Sequence, residues 1–363
     1  MPNQERMIND FCDLVRIDSP SGEEWDVALH VSDRLAKLGF QVARDDHGNV
    51  IAREDGPPSV RPLILSAHMD TVDPGRSIRP QLVGERITSD GNTILGGDCK
   101  AGVAAILEAL ESVKEDGRPR RPLEVVLTRG EEIGLVGASN LDFSMLRGTE
   151  AVVFDGNGPV NTITGASPTY MAFDINIAGR GAHAGVEPEK GLSAIRIASE
   201  LIAELPQGRI DEETTFNVAT ITGGTVRNAV PSEASITGEF RSMNMESLEL
   251  LRMQLLTTLD RVRARHGDAQ ITESLEMMFQ MYRLDPSEAT AQLVMRVMRD
   301  MGMQPNIKPS GGGTDGNVFR LNGIESIVVG MATNLMHTID EYVVIPDLVN
   351  TARFCEELMT YGA

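Results

Sequence analysis

Four short apolar runs constrain this chain more than any other feature. They are Leu63-Ile64-Leu65, Leu123-Glu124-Val125-Val126-Leu127, Ala151-Val152-Val153-Phe154 and Ser326-Ile327-Val328-Val329. Runs of this kind read as strands buried on both faces, the position of parallel strands in an α/β sheet. Each carries an acid or a histidine at or beyond its carboxyl end: His68 and Asp70, then Glu131 and Glu132, then Asp155, then His337. Parallel strands deliver their chemistry at those ends. Taken singly, His68 is a strand-end histidine, Asp70 a turn former before Pro74-Gly75, and the glutamate pair a solvated acidic turn. Four such coincidences in succession argue against that bland reading.

The rest of the first region fits the same layout. Met7, Phe11, Leu14 and Val15 form one stripe of a helix over residues 5–17. Ser21 and Glu24 match a capping box for a second helix, ending at Gly39. Asp98 stands where a glycine-rich loop, Leu95-Gly96-Gly97, enters a long apolar helix; alone, it also reads as an N-cap. From about 167 to 277 the texture changes. Met171, Phe173, Ile175 and Ile177 alternate with Ala172, Asp174 and Asn176, the period of a half-buried strand. Helix, two strands, helix and strand follow, giving β-α-β-β-α-β, a ferredoxin-like unit inserted into the first domain. The expected domains are therefore 1–166 with 278–363, and 167–277.

Composition excludes several partners. A formal charge of −20 argues against nucleic acid and an anionic membrane surface. Cys12, Cys99 and Cys355 are few and widely spaced, forming neither a disulfide framework nor a CxxC pair, as suits a reducing cytosol. No apolar stretch approaches the roughly 20 residues that cross a bilayer. The expectation is a soluble, cytoplasmic protein.

In order, His68-Met69-Asp70-Thr71-Val72, Gly97-Asp98-Cys99-Lys100-Ala101-Gly102, Glu131-Glu132, Asp155-Gly156, Gly179-Arg180-Gly181-Ala182-His183 and His337 resemble the M20 metallopeptidases. Asp90-Gly91 and Gly312-Gly313-Thr314-Asp315-Gly316 point to the peptidase T-like (tripeptide aminopeptidase) branch, although Cys99 stands where that branch usually has a second aspartate. The resemblance implies an α/β fold: a zinc-peptidase-like mixed sheet flanked by helices, with the inserted unit acting as lid and homodimerisation domain. It implies two zinc ions, with cobalt or manganese able to use the same ligands. Asp98 and a water would bridge them, His68 and Asp155 completing one ion, Glu132 and His337 the other. Asp70 would fix the His68 tautomer. Glu131 would act as general base toward a bridging hydroxide nucleophile. The resemblance also implies a cis peptide after Asp98.

His183 would stabilise the oxyanion, Asn228 and Arg241 would contact substrate, and Gly313 would lie in a substrate-facing loop. By their local sequence alone, Asn228 and Arg241 read equally well as a turn residue and a solvated strand residue. Gly179 to Ala184 matches GxGxxA after a strand, but Pro188 delays the helix and Glu200 sits mid-helix, so a dinucleotide site is disfavoured. The implied substrate is a short peptide. An N-acyl amino acid, a carboxypeptidase-type peptide, or a non-catalytic metal-binding role are the alternatives.

Overall fold

The computed structural model describes residues 1–54, 56 and 60–362. The four apolar runs form strands Leu63–His68, Leu123–Thr128, Glu150–Gly156 and Glu325–Gly330. They are mutually parallel and adjacent, in the order 123–128, 63–68, 150–156, 325–330. Val50–Arg53 and Gln41–Arg44 extend the sheet antiparallel on one side, and Thr162–Ser167 extends it antiparallel on the other. The sheet is thus mixed.

Alternate residues of the central strands enter two separate apolar clusters. Leu63, Leu65, Val125, Leu127, Val152, Phe154, Ile327 and Val329 face the larger one, built with helices Gln4–Arg16, Trp25–Leu38, Gly97–Asp116, Ala289–Asp300 and Ile345–Thr360. Ile64, Val126, Ala151, Val153 and Val328 face a smaller one with Leu141 and Phe319. Both faces are covered, which is why these strands are apolar at most positions. Register levels their ends: His68 pairs with Thr128, and Ser66 with Val153.

Two glycines set the entry to the helix Gly97–Asp116. Gly96 has φ +74°, a left-handed conformation that only glycine adopts freely. A Cβ on Gly102 would lie 2.4 Å from the Phe154 carbonyl oxygen, so its absence lets the helix lie against the strand that carries Asp155. Asp98 and Cys99 depart from helical φ/ψ, and the Asp98–Cys99 peptide bond is cis, as the resemblance implies.

The capping box expected at Ser21 and Glu24 does not form. The helix begins at Trp25 without a side-chain cap. Ser21 instead donates to Asp70 Oδ2 at 2.7 Å, and Glu24 Oε1 accepts from the N–H groups of Gly22 and Gly130 at 2.8 and 3.0 Å. Both side chains are drawn from a local cap to the rim of the sheet by partners distant in the chain.

The chain divides into two compact units, Met1–Ala166 with Arg283–Ala363, and Ser167–Tyr282. The second holds an antiparallel sheet in the order Thr214–Gly223, Glu233–Ser242, Thr169–Ala178, Gln270–Phe279. Helices Ala194–Glu204 and Met245–Arg265 occupy the two crossovers, giving β-α-β-β-α-β. Its last strand runs to Phe279 through a bulge after Met277, so the chain returns at 283 rather than 278. Among the described residues, no helix is long and apolar enough to cross a membrane.

Candidate metal centre

The rim of the first unit's sheet gathers residues from five separate stretches. His68 ends its strand, and its Nε2 lies 3.2 Å from Asp98 Oδ1 and 3.6 Å from Asp155 Oδ1. The other oxygen of Asp98 lies 3.0 Å from His337 Nε2, which is also 3.0 Å from Glu132 Oε1. One carboxylate therefore touches both imidazoles. Three groups of potential ligand atoms lie within 4.8 Å of one another: His68, Asp98, Cys99 and Asp155; His68, Glu131 and Glu132; Asp98, Glu132 and His337. The Cys99 thiol donates to the Phe154 carbonyl at 2.6 Å, and burial pushes its pKa well up.

The supporting contacts orient these groups. His68 Nδ1 faces two acceptors, the Asp70 carbonyl at 3.0 Å and Asp70 Oδ1 at 3.4 Å. Nδ1 therefore carries a proton, and Nε2 is the ring nitrogen turned to Asp98 and Asp155, whose carboxylates raise the imidazole's proton affinity. The shorter contacts of the Asp70 carboxylate go elsewhere. It accepts from the N–H groups of Glu131 and Glu132 at 3.0 and 3.2 Å, and from Ser21. Asp70 thus fixes the backbone of the glutamate pair as well as the His68 ring.

Three further buried groups support the cluster. Glu341 accepts from the N–H groups of Leu95, Gly96 and Asp98 at 2.8, 2.8 and 3.0 Å, clamping the loop that presents Asp98. Lys100 is fully buried and donates to the Ile17 carbonyl at 2.8 Å. Asp315 accepts from Thr128 Oγ1 at the strand end. That bond ties the loop containing Gly313 to the rim. Glu341 could have been found only by asking what satisfies the glycine-rich loop's N–H groups, a contact across more than two hundred residues.

The electrostatics favour a cation. Burial raises Asp155 to about 7 and, joined by the Asp155 charge, lifts Glu131 well above the carboxylate range. Burial also raises Glu132. Hydrogen bonds that the His337 ring donates to Asp98 and Glu132 raise its pKa to about 10. For Asp98, burial is outweighed by the two imidazoles, and its pKa falls to about 2. Buried carboxylates around two imidazoles are the donor set that zinc and similar ions take.

His337 reaches the cluster from a strained loop. Ala332, Leu335 and His337 have φ of +78°, +54° and +64°; each costs roughly 1–2 kcal/mol in this left-handed region.

The remaining candidates belong to the second unit. His183 pairs with Ala229 in a two-stranded ladder, and Ala184 N–H donates to the Asn228 carbonyl at 2.9 Å, so His183 and Asn228 are neighbours. Gly185 N–H donates to His183 Nδ1 at 3.2 Å, which in the neutral ring places the proton on Nε2. Arg241 is already engaged: its fork grips Glu239 at 3.0 and 2.7 Å, and it stacks on Tyr170 at 4.3 Å.

Comparison with known proteins agrees with this geometry. Residues 64–361 match the family model described as Peptidase family M20/M25/M40. The uncharacterized protein YqjE of Bacillus subtilis (strain 168) is 35% identical, with all of both chains covered. The crystal structure of aminopeptidase PepT from Bacillus cereus ATCC 10987 superposes with a TM-score of 0.85 at 34% identity, covering 99% of this chain and 98% of that one. A tripeptidase from Staphylococcus aureus subsp. aureus Mu50 gives 0.90 at 31%, with the same coverage. The chain therefore belongs to peptidase family M20/M25/M40, on its peptidase T-like side, and is a metallopeptidase.

Proposed function

We propose that this enzyme is a dinuclear aminopeptidase of short peptides, of the tripeptide type. His68 and Asp155 would hold one divalent cation, Glu132 and His337 the other, and Asp98 would be shared. The observation that carries the reading is the placement of Asp98, with one oxygen 3.2 Å from His68 and the other 3.0 Å from His337. The imidazole and carboxylate donors suit zinc, and cobalt or manganese would accept the same set. Bound there, such ions would polarise the scissile carbonyl and acidify a water.

The chain's own residues do the rest. Glu131 takes the proton of the attacking water and returns it to the leaving amine. Its raised proton affinity suits that task. Asp70 holds the Glu131 and Glu132 backbone, so the base and its ligating neighbour keep their separate directions. His183 Nε2–H would donate to the substrate carbonyl oxygen as negative charge develops there. The similarity to PepT and to a tripeptidase supports the aminopeptidase choice.

The test uses chelated protein resupplied with zinc, cobalt or manganese, offered tripeptides and N-acetyl amino acids. Cation-dependent release of the N-terminal residue from tripeptides is expected. Turnover of N-acetyl amino acids alone would replace this reading with an acyl-amino-acid hydrolase. Turnover of no amide would overturn it.

A further inference from the structure

The metal ligands and the base leave unused the exposed apolar side chains within two residues of Glu132 and His337 in the chain. Glu132 and His337 are in contact at 3.0 Å, so the loops that present them meet there. Around that meeting point Ile133, Leu335 and Ile339 are 54%, 53% and 48% exposed. Residues 133–139 carry no charged side chain, and residues 331–339 carry none besides His337.

Leu335 is the least explicable of the three on structural grounds. Its neighbour Met336 packs against the core, whereas Leu335 does not. Its φ of +54° is one that glycine or asparagine would adopt with less strain. A large apolar side chain held in a left-handed conformation and facing water serves neither packing nor backbone. Ile133 lies against Gly130, its Cγ1 and Cδ1 3.5 and 3.6 Å from where a Cβ on that glycine would be.

We infer that Leu335, with Ile133 and Ile339, forms the apolar wall that receives the substrate side chain adjoining the scissile bond. This assignment rests on the peptidase reading above. It selects short peptides with an aliphatic or aromatic residue at that position. A charged side chain there would shed its hydration without gaining a partner.

The test compares wild type with Leu335→Asn, Leu335→Gly and Leu335→Met on the tripeptide series X-Gly-Gly and Gly-X-Gly, with X as Leu, Ala or Asp. Asparagine and glycine both tolerate the left-handed backbone, so the loop keeps its shape; bound metal is measured in every variant. Wild type should prefer Leu over Ala and Asp in one of the two series. In that series the Asn and Gly variants should lower the Leu-to-Ala ratio of kcat/KM about tenfold, mainly through KM, as the loss of one apolar contact implies. The Met variant should restore the ratio. An unchanged ratio in both the Asn and Gly variants, with peptides still hydrolysed, would overturn the wall and leave the peptidase reading standing. No peptide hydrolysis by wild type would overturn both.

Discussion

His68, Asp98 and Asp155 are all under a tenth exposed, whereas the His337 side chain on the other side of the Asp98 carboxylate is half exposed. The two halves of one cluster are built by different means. The inner half stands on or beside strand ends, and its carboxylates and ring nitrogens are paired with N–H groups, hydroxyls and one another. The outer half hangs on a loop with three left-handed non-glycine residues, bordered by apolar side chains that face water. Rigid elements give precision where ions are held, and the loop gives a surface where a substrate of variable side chain can be met.

Substitutions should separate the halves by size of effect. Asp98→Asn removes the group common to both and should abolish peptide hydrolysis together with most of the bound metal, read by elemental analysis. Glu131→Gln should lower kcat by about 10²–10⁴-fold while metal content stays at the wild-type level. Equal loss of metal in the two variants would make Glu131 a ligand. Asp70→Asn acts on the inner half through His68 and the glutamate backbone, and should cost about 10–100-fold in metal affinity or activity. Ser21→Ala removes one of that carboxylate's donors, and its effect should be smaller than that of Asp70→Asn.

The halves should also differ in their response to pH once metal is chelated. The pKa of His337 is raised from 6.5 to about 10 by Asp98 and Glu132. Its contribution to stability is therefore fully present below pH 6.5 and is lost as pH climbs through 10. The pKa of Asp98 is lowered from 3.8 to about 2, so its contribution is present above pH 3.8 and is lost as pH falls toward 2. Thermal melts of His337→Ala and wild type should converge at high pH and diverge at neutral pH. A constant gap would show that His337 stabilises by packing instead.

The inner half was the more legible in sequence. Buried parallel strands are apolar at most positions, so their ends can be found and the acid or histidine just beyond them noticed. Ser21 and Glu24 misled because a capping box is a local pattern, and their tertiary partners Asp70 and Gly130 outcompeted it. Glu341 carried no local signal because the N–H groups it satisfies lie at Leu95, Gly96 and Asp98. Arg241 could have been read better: Glu239 and Arg241 are two apart on a strand, hence on one face, within reach of each other. The backbone angles of 332–337 had no such cue, since leucine and alanine are not left-handed by habit.

The central claim is that one cluster takes two divalent cations about a shared Asp98. The most direct check is to titrate the chelated protein with zinc or cobalt and count tightly bound ions per chain against recovery of peptide hydrolysis. Two ions per chain, with full activity only after the second and neither retained by Asp98→Ala, is the result predicted here. Saturation at one ion with full activity, or two ions bound undiminished in Asp98→Ala, would contradict it.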